Sequence, residues 1–177
     1  MTEVQDPVLV NIFKGVVASM VVVGFDQIHY EPGRSINILE SLSSLDNSIT
    51  MKGLKYPLVA VKLPIRERRG QGYYSTTIIE RVVLANHVLT TNEASEFVIE
   101  KYYESGNFTK VLYPLYREFF RCLALNPFIV GFEPQAFVHT KMDNPGQQPI
   151  GEGLSDYVDS IEILNLELTT TQIKNCK

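Results

Sequence analysis

Cysteine is scarce in this sequence, basic residues are outnumbered by acidic ones, and no apolar run is long enough to cross a bilayer. Only Cys122 and Cys176 occur among 177 residues, so a disulfide framework is excluded and a reducing compartment is the default. Lysine and arginine total 16 against 20 acids, a net charge of −4. That balance gives no global attraction for phosphate backbones and argues against a dedicated nucleic-acid binder. The stretch from Val8 to Val23 is largely apolar, but Asn11, Lys14 and Ser19 interrupt it, and it is shorter than the about 18–20 residues that span a membrane. No membrane segment is expected. The opening MTEVQDP carries two acids and no base, the reverse of a secretory leader, so signal-peptide export is not expected either.

Short catalytic signatures are missing as well. The chain has no G-x-S-x-G, no G-x-x-x-x-G-K-[ST], no H-E-x-x-H and no C-x-x-C. Gly70 and Gly72 form a lone G-x-G, better read as a turn than as a phosphate cradle. His29, His87 and His139 fall in separate extended segments, with no second ligand at metal-site spacing. Cys122 follows the apolar face of a helical pattern, as an inert packed thiol does. No catalytic residue, metal or cofactor is expected.

What is present is the composition of a folded domain, 45% hydrophobic and 20% charged. Residues 1–177 read as one domain that removes roughly 70% of its unfolded surface from water. Asp6-Pro7 has the form of a helix start, and Leu9, Ile12, Phe13, Val16, Val17 and Met20 recur at helical spacing. This helix is expected to run to Gly24, followed by an extended DQIHYEPG. A short helix is suggested between Ser35 and Leu45. YPLVAVKLPI, Tyr56 to Ile65, reads as a strand bounded by its prolines and buried on both faces for part of its length. RERRGQG then reads as a connection to the β-branched run YYSTTIIERVVLANHVLT, the two strands making an extended hairpin.

Asn92 is placed to cap a helix EASEFVIEKYYES. Beyond it, Phe108, Val111, Leu112, Leu115, Tyr116, Phe119, Phe120 and Leu123 form an uninterrupted helical stripe about 24 Å long. Pro114 predicts a kink there, or a helix that truly begins near Leu112, and Asn126-Pro127 ends it. FEPQAFVHTKMD and VDSIEILNLELTT are the last two predicted strands. The fold class is α+β: an antiparallel or mixed sheet with an extended hairpin and about three helices packed on it.

Two clusters of charge invite a functional reading. Asp156, Asp159, Glu162 and Glu167 crowd the last strand, but alternation puts Asp156 and Glu162 on one face and Asp159 and Glu167 on the other. They do not converge on a cation, and solvated or interface charges are the expected role. The buried face of this strand switches between Ile163 and Leu164, which implies a bulge or burial on both faces. Arg66, Arg68 and Arg69 read either as a charged tip that keeps the hairpin soluble, or as a basic contact loop for an acidic neighbour or a nucleic-acid backbone. The net acidity favours the acidic neighbour.

KYPLVAVKLPI, FTKVLYPLYREFF and SDYVDSIEILNLEL together resemble the tail-terminator-like, or tail-completion, neck proteins of tailed bacteriophages. The resemblance covers most of Tyr56 to Leu168, with the N-terminal third matching only in its leading helix. It implies a single tail-terminator-like domain in a virion structural protein without catalysis. Such copies would form a homo-oligomeric ring, hexameric or dodecameric, between the portal or connector and the tail; in such a ring the arginine loop could line a DNA-filled lumen. Assembly would take place in the host cytoplasm. The resemblance further implies that Asp156, Tyr157 and Asp159 lie at the head of a strand near the ring interface. Nine tyrosines and no tryptophan suit polar aromatic contact surfaces. The alternative is a small ligand-binding protein or enzyme whose site is assembled only in three dimensions.

Overall fold

Apolar residues three and four apart make helix α1, Leu9–Ala18, in a computed structural model that describes residues 9–34, 38, 40–41, 55–69, 74–87, 106–132, 138–142 and 158–171. The helix ends six residues before Gly24, the expected stop. The Ser19 hydroxyl donates to the Gly15 carbonyl at 2.9 Å, and the β-branched Val21–Val23 run leaves the helix. Gly24, at φ +90°, makes the turn that follows, in a region open chiefly to glycine.

Strand β1, His29–Gly33, pairs parallel with β2, Leu58–Arg69. β2 and β3, Tyr74–His87, form the expected antiparallel hairpin. Pro64 does not end β2; a register shift between Lys62 and Ile65 absorbs it. The strand runs on through Arg66, Arg68 and Arg69, which pair with Ile78, Thr76 and Ser75. The arginines therefore belong to the hairpin's arm and not to its loop.

Helix α2, Tyr113–Leu125, is preceded by a π-helical turn, Phe108–Leu112, so Pro114 falls in the first α-helical turn, where its missing N–H costs little. Within the segment read as a strand, FEPQAFVHTKMD, the described part is β5 (Val138–Met142); β4 (Ile129–Phe132), which meets it only at Phe132, was not expected. Both pair with β6, Val158–Thr171, at different heights. The sheet order is β1-β2-β3-β6-β4, with β5 also on β6. Two helices are described; Ile38, Glu40 and Ser41 are helical within the suggested Ser35–Leu45 segment, and the predicted helix after Asn92 lies outside the described residues.

The core lies between the helices and one face of the sheet. Phe13 and Val16 of α1, Leu112, Leu115, Phe119 and Leu123 of the α2 unit, and Val59, Val61, Val82, Leu84, Ile161 and Ile163 of the strands form one cluster. On the opposite face Leu58, Ala60, Val83 and Ala85 pack under Ile38. This half of the sheet is covered on both sides, as the apolar parities of β2 require.

The burial pattern of β6 switches at Asn165, the one described non-glycine residue at positive φ, +56°. Register with β3 continues unchanged on either side of it, so the switch is not a bulge in β6. Asn165 lies opposite Glu80, both are exposed, and the β2 irregularity is level with them. A crease therefore crosses three strands. Beyond it Ile65, Ile79, Leu166 and Leu168 face the helices, while Arg66, Arg68 and Glu167 on the far face are exposed. Because β-branched side chains are disfavoured at positive φ, Asn165→Val is expected to lose about 1–2 kcal/mol. Asn165→Gly should stay within about 1 kcal/mol of the parent. Urea denaturation checks both, and an unaffected valine variant would contradict a left-handed Asn165.

The α1 exit is held to α2 by Glu118. Its Oε1 accepts the Val21 amide at 3.0 Å, and Arg121 holds the carboxylate from Nε at 2.8 Å and Nη2 at 2.6 Å. These donors, Arg121 first, hold the Glu118 carboxyl down at about 2. A depressed folded-state pKa contributes stability that is complete above the unfolded value of about 4.3 and is lost as pH falls toward 2. The difference in denaturation midpoint between the parent and Glu118→Gln should therefore shrink from pH 6 to pH 2.5. A constant gap would rule out this linkage.

Candidate functional site

Alternation in β1 sends His29 and Glu31 to one side, and their side chains meet: His29 Nε2 lies 3.1 Å from Glu31 Oε2. The Ser41 hydroxyl donates to the same oxygen at 2.9 Å. His29 and Tyr30 also line a half-open cavity of about 440 Å³ between α1 and the segment leading into β1. Its polar rim is Lys14, Asp26 and Gln27, and Val17 and Met20 supply an apolar wall. Burial and the neighbouring Glu31 charge push the Tyr30 phenol well above its ordinary value. It stays protonated at physiological pH and keeps its donor.

The constellation sets a hydrogen-bonded imidazole beside a cavity of small-molecule size. Ser41 donates to the same Glu31 carboxylate that meets the imidazole. Glu31 orients His29 through its Nε2. The volume lies in the range of small-molecule sites, about 300–1,000 Å³. Sequence reading singled out His29 but missed Glu31 and Ser41. The His-x-Glu spacing in a strand was the available signal, because residues two apart share a face.

A second polar cluster closes the far end of the core. Asn86 and Asp159 are direct cross-strand partners on β3 and β6. Asn107, at the start of the π-helical turn, donates from Nδ2 to Asp159 Oδ2 at 2.9 Å and to the Asn86 carbonyl at 3.3 Å. Asn86 Nδ2 donates back to Asn107 Oδ1 at 2.6 Å. Asp159 is only 1% exposed. Against the expected solvated role, it is buried within the chain and fastens the α2 unit to the sheet. Asp156 and Tyr157, expected beside it, lie outside the described residues.

Glu162 and Glu167, expected on opposite faces, share the face away from the helices, because the phase change at Asn165 lies between them. Glu162 is 6% exposed and pairs with Arg81, Nη1 to Oε1, at 3.3 Å, which corrects its expected solvated role. Lys62 is the cross-strand neighbour of Arg81, and its pKa is lowered first by burial and then by that like charge. Glu167 stands exposed beyond the crease. Among the described residues, no group of three or more His, Cys, Asp or Glu side chains is placed to hold a metal ion. Cys122 is buried, and burial raises its pKa, as expected of a packed thiol.

No family model, curated protein or solved structure matches the chain. Function is therefore read from the surfaces themselves. His87 ends β3 opposite Val158, and His139 sits on β5 opposite Ile163, so the three histidines lie on three different strands. Arg66 and Arg68 project from β2 into solvent with no ion pair among the described residues, and Arg69 follows them on the same strand. No described helix is long and apolar enough to cross a membrane.

Proposed function

We propose that this chain is a structural protein of a tailed-bacteriophage particle: a ring adaptor of the neck or tail that joins the portal or connector side to the tail, without catalysis. The supporting observation is that the three stretches resembling tail-completion proteins fall on β2, the α2 unit and β6. These elements lie far apart in sequence, yet β2 and β6 flank β3, and α2 packs over them in one core. A conserved architecture would need those three pieces together. A ring of such domains closes through a heterologous contact, in which two different surfaces of each copy meet. Exposed Val21, Val23, Leu125 and Val130, at 76%, 94%, 68% and 56%, are apolar surface of the kind such contacts cover.

Native mass measurement of the purified protein, with imaging of intact particles, tests this reading. A closed ring in solution or a ring density at the neck is the expected result. A protein that stays monomeric and is absent from particles overturns it.

The cavity at His29 favours one other reading, a small-ligand binding protein. Asp26 lines the cavity alongside His29, which Glu31 holds, so a polar or cationic small molecule is the class to screen. Thermal-shift screening of such compounds, with loss of any shift in His29→Ala and Glu31→Ala, decides it.

A further inference from the structure

We infer that the creased half of the sheet is a self-association surface, on which two copies of this chain meet face to face about a two-fold axis running along β3. The contact stands apart from the ring reading, because it is isologous whereas a closed ring needs a heterologous one.

The register supplies the geometry. Arg66 pairs with Ile78, and Ile78 pairs with Glu167, so the three side chains form one row across β2, β3 and β6. Arg68, Thr76 and Thr169 form the next row. All lie on the face turned away from the helices; Arg66, Arg68 and Glu167 are exposed, and Ile78 and Thr76 are half-buried. Within one copy Arg66 and Glu167 are two strand spacings apart, roughly 9.6 Å, and no ion pair joins them.

A half-turn about an axis parallel to β3 exchanges the two outer strands while keeping the height along them. The Arg66 of each copy then sits over the Glu167 of the other, and the two Ile78 side chains meet at the axis. Sheets packed face to face lie about 10 Å apart, a gap that an arginine and a glutamate reaching toward each other can close. The cations of β2 are thus complemented by the carboxylate of β6 at the same level. A nucleic acid is the poorer occupant, because Glu167 repels phosphate on this surface. The described patch measures roughly 10 by 17 Å between backbones, well under the about 800 Å² per partner of a standard interface. The contact is therefore weak and salt-sensitive, and it gains strength where other contacts hold copies together.

Sedimentation of the full chain over a concentration series, at low and moderate salt, tests the inference. The parent should self-associate, less so as salt rises. Arg66→Glu and Glu167→Arg should each weaken association at least about tenfold through like-charge opposition. The double exchange, Arg66→Glu with Glu167→Arg, should restore it to within about threefold. Circular dichroism and thermal midpoints establish that each variant is folded. Because both positions are exposed, parental stability is expected. A parent with no salt-sensitive association, or single effects that the double exchange does not repair, overturns the contact. Retention on duplex DNA that Arg66→Glu abolishes, without self-association, overturns it in favour of nucleic acid. Rings that form but do not pair overturn this contact and leave the ring reading intact; pairs without rings do the reverse.

Discussion

Phe119→Ala is expected to lose about 3–5 kcal/mol, the largest effect of any single truncation proposed for this chain. The ring is fully buried, stacks on Phe13 with centroids 6.1 Å apart, and meets Phe120 edge-on at 5.4 Å. Removing it takes away the contact that seats α1 on α2 and leaves a cavity that the sheet behind cannot fill. α1 has 10 residues, too few to be stable alone in water. Its amide protons should therefore exchange faster in the variant before the sheet unfolds. Phe119→Leu, which keeps most of the volume, should lose much less. Urea denaturation with hydrogen exchange measures both, and a loss below about 1.5 kcal/mol in the alanine variant would show that the helices are held mainly elsewhere.

Asp159→Ala is expected to cost about 1–3 kcal/mol by stripping a buried acceptor from the Asn107 amide. The effect should be localised: the π-helical turn at Phe108–Leu112 loses its link to β6, while the strand pairing of β3 and β6 persists. Asp159→Asn keeps an acceptor oxygen at the same place and should lose less. Because Asn107 bridges Asp159 and Asn86, the Asp159→Ala and Asn107→Ala losses should not add. A double-mutant cycle should return a coupling of at least about 0.5 kcal/mol. Additive losses would mean that the hydrogen bond at 2.9 Å contributes nothing to stability.

Much of the fold was legible in local pattern. The stripe from Phe108 to Leu123 predicted both the α2 unit and its buried face, because helical spacing alone decides which residues share a side. Of the two outcomes Pro114 predicted, a kink or an α-helix beginning near Leu112, the second is found. The two-sided apolar pattern of β2 signalled burial on both faces. The arginines at Arg66, Arg68 and Arg69 were misplaced because glycine at 70 and 72 drew the turn toward them. Strand pairing with Ser75, Thr76 and Ile78 outweighed that local signal, since the ladder satisfies backbone groups that a loop would leave to solvent. The end of α1 was misjudged for a related reason: nothing in VVVGF reveals that a glutamate on a distant helix takes the Val21 amide.

The candidate sites were less legible than the elements. His29 was noticed, but its partner Ser41 arrives from a separate segment. Asp159 was noticed for its charge and assigned to a surface, when cross-strand pairing with Asn86 and the arrival of Asn107 allow it to be buried.

By itself the sequence determined the acidic balance, the lack of a disulfide framework, the α2 stripe, the hairpin and the phase change in β6, because each is a property of neighbours along the chain. Only the tertiary structure decided where the phase change is absorbed, which carboxylates are buried, and that Arg66 and Glu167 stand level on one open face. Those outcomes depend on which distant residues supply hydrogen bonds or cover, and desolvating a charge is tolerated only where such partners converge.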